Sequence, residues 1–279
     1  CGWPMLADPL SGGRFLPGDG SSRPIATGDL LMRSSGFVDR MRPDVVLRVG
    51  RIPTSKAQNN WLAGCGAQRH LVIDPGPAWS DPDALATDMV RCDPAMLLDT
   101  VADGLDRAHR GTWVTTWCEA DRLARRELDR WCHGSDTPPL GEAEVANCVA
   151  ELLPDGAVWW LSSSLPVRDV DLAAPTSSTD VRVMANRGAN GIDGVISSAA
   201  GVAASGAHPV VLSIGDLAVL HDLGGLAAVG RSKLALWVVV TDNSGGGIFD
   251  QLPIARLGAE VAFGQLFSTP HGTDLAVLD

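Results

Sequence analysis

Apolar and polar residues along this chain fall into short blocks whose lengths and spacings predict its elements. Residues 44–49 form an apolar run closed by Gly50, and residues 70–73 form a second one closed by Asp74-Pro75. Runs of this length bounded by turn residues predict buried strands. Between them, residues 55–63 predict a short helix. Over 93–108, Met96, Leu97, Val101 and Leu105 recur at helical spacing behind the start signal Asp93-Pro94. Residues 116–131 predict another helix, charged along one face. The segment 133–140 is rich in Gly, Ser and Pro and predicts a linker. The expected domains are therefore 1–135 and 136–279. The second half is more regular. Helices are predicted over 141–153, 191–205 and 222–229, and strands over 157–162, 181–184, 209–214 and 234–240. Strands without polar alternation, separated by helices, predict parallel sheets covered on both faces. The expected fold class is α/β, two three-layer parallel-sheet domains. Trp159-Trp160 leads a strand and reads as core, and Asp193 reads as a helix N-cap before residues 195–203.

Composition narrows the function classes. Of 279 residues, 45% are apolar and 20% charged, which is a globular balance. A formal net charge of −11 argues against nucleic acid as a partner. No apolar stretch is long enough for a membrane span, and no secretory pattern is visible, so a cytoplasmic protein is expected. The six cysteines are Cys1, Cys65, Cys92, Cys118, Cys132 and Cys148. None forms a C-x-x-C pair, so free thiols are expected in place of zinc or a disulfide framework. The chain opens on Cys1-Gly-Trp-Pro and stops just after Thr273-Asp274 begins a new element, as a piece of a longer enzyme would.

Candidate chemistry gathers at two strand ends. One is Gly215-Asp216, and the other runs Thr241-Asp-Asn-Ser-Gly-Gly-Gly247. Either alone is an ordinary turn. A right-handed crossover would bring the two strands into one sheet, and ligands of open parallel sheets bind beyond such ends. Asp216 and Asn243 would offer oxygen atoms, and the Gly245 carbonyl a third, to Mg²⁺ or Mn²⁺. The glycines would let backbone N–H groups approach a diphosphate, with the helix after Asp216 pointing its positive end at it. His70, His109, His133, His208 and His271 show no partner signature and read as structural, and His221 as a surface residue.

The spacing of Gly215-Asp216 from Asn243, some two dozen residues, resembles the thiamine-diphosphate motif, with Leu217 and Asp242 as departures. Five segments resemble one branch, the 2-succinyl-5-enolpyruvyl-6-hydroxy-3-cyclohexene-1-carboxylate synthases of menaquinone biosynthesis. They are Gly2-Trp-Pro-Met-Leu-Ala-Asp-Pro-Leu-Ser11, Ser163-Ser-Leu-Pro-Val-Arg168, Asn186-Arg-Gly-Ala-Asn-Gly-Ile-Asp-Gly194, Gly215-Asp-Leu-Ala-Val-Leu-His-Asp-Leu223 and Asn243-Ser-Gly-Gly-Gly-Ile-Phe-Asp-Gln-Leu-Pro253. The resemblance implies a central Rossmann-like domain followed by a thiamine-diphosphate-binding one. It also implies a transferase that decarboxylates 2-oxoglutarate and adds the product to isochorismate. The implied cofactors are thiamine diphosphate with Mg²⁺ or Mn²⁺. Gly215, Asp216, Leu217, Ile192, Asn243, Gly245, Gly246, Phe249 and Leu252 would hold the cofactor; of these Asp216, Asn243 and Gly245 would hold the metal. Ser164, Arg168, Arg187 and Lys56 would hold substrate carboxylates. The family's activating glutamate belongs to a pyrimidine-binding domain preceding this segment, so no catalytic residue is assigned here. A homodimer or homotetramer is implied, and no turnover is expected of the segment alone. The alternatives are another thiamine-diphosphate enzyme of the acetolactate synthase type, or a non-catalytic nucleotide-binding module.

Overall fold

A computed structural model describes residues 2–17, 24–104, 111–134, 140–188 and 191–278. Cys1, Leu105, His109, Asn190 and most of the expected linker lie outside the described residues. The chain forms two compact units, Cys1–Asp8 with Arg23–Trp131 and Pro9–Ser22 with Cys132–Asp279.

The first unit contains α1 (Gly28–Met32), α2 (Ser35–Arg40), β1 (Val45–Val49), α3 (Lys56–Gly64), β2 (Arg69–Ile73), β3 (Asp88–Val90), α4 (Pro94–Asp103) and the bulk of α5 (Thr112–Cys132). Its three strands are parallel, in the order β1-β2-β3. Local chemistry starts the helices. The Ser55 hydroxyl accepts the Gln58 N–H at 3.0 Å to cap α3. Asp93 caps α4 by accepting from Ala95 and Met96, with Pro94 in the first turn. Helix α5 begins earlier than its charged face suggests, because Trp113 and Trp117 share its inner side. Trp117 is 1% exposed and meets Phe37 and Trp61 edge-on. Two expectations need correction. Val45, Leu47 and Val49 are exposed, so β1 is not covered on both faces. The apolar stripe of α4 forms on schedule, yet α4 buries no residue and Met96 is exposed.

The second unit holds α6 (Glu142–Leu152), β4 (Ala157–Leu161), α7 (Leu165–Ala173), β5 (Val181–Ala185), α8 (Val195–Ala204), β6 (Val210–Gly215), α9 (Asp216–His221), α10 (Leu223–Ser232) and β7 (Leu236–Thr241). Four parallel strands lie in the order β5-β4-β6-β7. Because successive residues of a strand point to opposite faces, β4 feeds two cores. Ala157, Trp159 and Leu161 pack with Val167 and Val170 of α7 and with Phe15, while Trp160 packs with Val195, Ile196 and Ala199 of α8. Trp159 is fully buried and its indole N–H donates to the Ser213 hydroxyl at 2.9 Å. Arg14 enters the first of these cores. Its guanidinium pairs with Asp171 at 2.9 Å and also donates to the Val170 and Ala174 carbonyls at the end of α7. β7 is an edge strand, half-covered, with Trp237 71% exposed. Helix α8 is capped by Gly194 at φ 65°, not by Asp193, whose exposed carboxylate instead faces His221. Beyond β7 the chain continues in short helical turns at Gly247–Gln251, Pro253–Val261, Gly264–Ser268 and Leu275–Leu278. Among the described residues no helix is long and apolar enough to cross a membrane, and Cys65, Cys92, Cys118, Cys132 and Cys148 are free.

Candidate active site at two neighbouring strand ends

β6 and β7 are parallel neighbours, and the register Gly215↔Thr241 ends both at one level. Asp216 and residues 242–247 therefore leave the sheet side by side. Asp216 is 2% exposed, and a carboxylate this deep needs partners. Its Oδ1 accepts the Leu217 N–H at 2.6 Å and its Oδ2 accepts the Gly245 N–H at 2.7 Å. His271 Nε2 stands 3.2 Å from the same Oδ2 and 3.5 Å from Asp242 Oδ1. Asp242 Oδ1 also accepts the Ser244 N–H at 2.8 Å, a local turn that precedes Gly245 at φ 148°. That backbone conformation needs glycine. A Cβ on Gly245 would collide with the Ser268 carbonyl oxygen, and one on Gly246 with the Phe267 carbonyl oxygen. The glycines do permit close approach, and the approaching groups are backbone oxygens of this chain. Gly246 N–H donates to Ser268 O at 2.7 Å.

A second wall comes from β4 and α6. Glu142, at the start of α6, accepts from Asn243 Nδ2 at 2.6 Å. Burial holds the Glu142 carboxyl above its usual value, with the Asn243 bond pulling it down and the Asp216 charge adding to the rise. Ser162 follows β4 fully buried, and its hydroxyl has no hydrogen-bond partner among the described residues. Ser163 donates to the Asn186 carbonyl at 3.1 Å, and Asn186 is itself held by the Trp160 indole and the Ser198 hydroxyl. Ser164 opens α7 at φ 74°, an uncommon conformation for a residue with a side chain. One turn on, Arg168 donates to the Ser164 carbonyl at 2.5 Å. Burial, and then the like charge of Arg187, lower the Arg168 pKa from its usual value, which a guanidinium tolerates without discharging. Asp169 beside it is pushed up to about 7, by burial first and by Glu142 second, against the pull of Arg168.

The cleft between these walls has a volume of about 130 Å³. Of the residues expected at a site, Ser164, Ile192, Gly215, Asp216, Leu217, Asn243, Gly245, Gly246 and Phe249 line it. Arg168, which bonds the Ser164 carbonyl, and Arg187 are outside the lining. Leu252 is exposed beyond it, and Lys56 opens α3 in the first unit. Three groups at the site escaped sequence reasoning. Glu142 reads as an ordinary acid in a first helical turn, Ser162 is hidden in a run of three serines, and His271 lies far along the chain from Asp216. The donor set suits a hard divalent cation, since the Asp216 carboxylate is buried with the Gly245 backbone against it and Asn243 in the same cleft lining, and the orphaned Ser162 hydroxyl leaves a polar group for a ligand.

No protein-family model matches the chain. It is 40% identical over 91% of its length to the 2-succinyl-5-enolpyruvyl-6-hydroxy-3-cyclohexene-1-carboxylate synthase of Listeria monocytogenes, covering 43% of that protein. The synthase of the same name from Myxococcus xanthus is 38% identical over 99% of the chain, which covers 46% of it. That of Halobacterium salinarum is 40% identical over 99% of the chain, which covers 45% of it. The chain is homologous to part of these proteins and spans a little under half their length.

Proposed function

We propose that this chain is the part of a 2-succinyl-5-enolpyruvyl-6-hydroxy-3-cyclohexene-1-carboxylate synthase that carries its middle and diphosphate-binding domains. The observation that carries the reading is the buried Asp216 beside the glycine run of the adjacent strand, in a chain whose relatives share that name. Thiamine diphosphate, bound with Mg²⁺ or Mn²⁺, would supply the nucleophilic carbon for a 2-oxo acid. Asp216, the Asn243 amide oxygen and the Gly245 carbonyl would hold the cation. Gly215, Leu217 and Gly246 would border the diphosphate, with Ile192, Phe249 and Leu252 as apolar support. Both 2-oxoglutarate and isochorismate are dicarboxylates, so Arg168 and Arg187 would take carboxylates as guanidinium forks, aided by Ser164.

Among the described residues, the glutamates of α6 are each engaged with the chain itself. Glu144 bonds the Gly141 N–H of its own helix, Glu151 meets Asn147 and His133, and Glu142 holds Asn243. In this reading the activating carboxylate comes from another part of a cytoplasmic homo-oligomer, and the 279-residue chain alone turns over nothing. Calorimetric titration with thiamine diphosphate in Mg²⁺ tests the site. Asp216→Ala should abolish metal-dependent binding, and unchanged affinity in that variant would overturn the assignment.

A further inference from the structure

We propose that residues 264–273 are an internal plug, filling with the chain's own groups the positions a divalent cation and a diphosphate would take. The proposal rests on the cofactor reading above and adds that binding is an exchange: the plug leaves as the metal-bound diphosphate enters. Two kinds of group are replaced. A phosphate oxygen needs N–H donors, and here the Gly246 N–H is taken by the Ser268 carbonyl at 2.7 Å. The Ser268 and Phe267 carbonyl oxygens also press on Gly245 and Gly246 where no Cβ would fit. A carbonyl oxygen is an acceptor of the kind a phosphate presents, here on an N–H that a phosphate would use.

The cation position is filled by His271. Its Nε2 lies 3.2 Å from Asp216 Oδ2 and 3.5 Å from Asp242 Oδ1, and the donor atoms of all three residues fall within 4.8 Å of one another. Such a cluster resembles a metal site, but the other ring nitrogen decides against ligation by the histidine. The Thr273 N–H donates to His271 Nδ1 at 3.0 Å. That nitrogen is therefore the acceptor, and the hydrogen-bond network assigns the proton to Nε2. A ligating histidine donates from its second nitrogen; this one accepts there and turns an N–H toward the two carboxylates. His271 thus stands in for the cation. The His271 side chain is 8% exposed and that of Asp216 is 3% exposed, so the contact is dry.

The segment is held closed by aromatic packing, and strain lies within it and just before it. Phe267 stacks on Phe263 with centroids 5.2 Å apart and meets Phe249 edge-on at 5.9 Å. Ala262 at φ 48° and Thr269 at φ 40° occupy the left-handed region, which is unfavourable above all for a β-branched residue. Ala262 lies just before the segment and Thr269 within it, so both are freed to relax when it opens.

Calorimetry of the 279-residue chain with Mg²⁺ and thiamine diphosphate provides the test, paired with amide hydrogen exchange. His271→Ala should bind about fivefold to tenfold more tightly than the parent, since one plug contact is lost. His271→Gln keeps an N–H donor and should stay near the parent. In the parent, amides of residues 266–271 should exchange faster once ligand is bound. Binding by parent and His271→Ala with equal affinity, weaker binding by His271→Ala, or increased protection of 266–271 would each overturn the plug. Binding by neither protein would overturn the cofactor reading and the plug with it.

Discussion

Asp169 lies next to Arg168 on α7, yet the attraction of that cation does not keep its carboxyl in the usual range. Burial and the nearby Glu142 outweigh it and raise the pKa to about 7 from 3.8. Folding therefore disfavours the ionised form. Below about pH 4 the group is protonated in both states and costs nothing; the cost grows as pH rises and is complete above about pH 7. Asp169→Asn should accordingly stabilise the fold by on the order of 1–3 kcal/mol at pH 8 and change little at pH 4. Urea unfolding at the two pH values measures this, and an equal effect at both would contradict it. At this scale the sequence was legible where spacing encodes geometry. The ends at Gly215-Asp216 and at residues 241–247 pair from the sequence alone, because strand–helix–strand fixes which ends are neighbours. Glu142 and His271 were not legible, since they reach the site from a helix start and an irregular tail with no periodicity to announce them.

The clearest element-scale device is the anchoring of residues 9–16 on α7 by Arg14. Its pair with Asp171 is 1% and 2% exposed, and its further bonds satisfy carbonyls at the helix end. Arg14→Met would leave a buried carboxylate without that cation. It should destabilise the second unit by about 3–5 kcal/mol, whereas Arg14→Met combined with Asp171→Leu should recover much of the loss. Chemical denaturation of the single and double variants checks it, and a negligible loss in the single variant would show the pair to be dispensable. The strand runs near 45, 70, 157, 181 and 210 were readable because each is apolar and closed by a turn. What could not be read was which faces are covered. An apolar run predicts a strand, but the exposure of Val45, Leu47 and Val49 depends on what packs against the sheet. For the same reason the stripe of α4 is helical in period and uncovered in fact.

For the whole chain, the α/β class with parallel sheets followed from strands and helices in alternation, and the structure has that architecture. The membership of residues 9–22 in the second unit had no local signal, because a buried arginine and Phe15 place that segment through contacts more than a hundred residues away. Among the described residues the order β5-β4-β6-β7 also leaves the six-residue β7 at the rim, with an exposed indole, Trp237, near its start. The outer margin of such a strand offers a row of N–H and C=O groups to any extended segment that drifts alongside. How strongly the polypeptide can be concentrated is then expected to depend on the outer edge of that strand. Trp237→Lys should raise the concentration at which light scattering first climbs and leave the unfolding midpoint within about 0.5 kcal/mol of the parent; an unchanged scattering threshold would place the weak spot elsewhere. The colloidal behaviour of this stretch of chain is thus expected to follow the rim of its described sheet, quite apart from whatever its cleft binds.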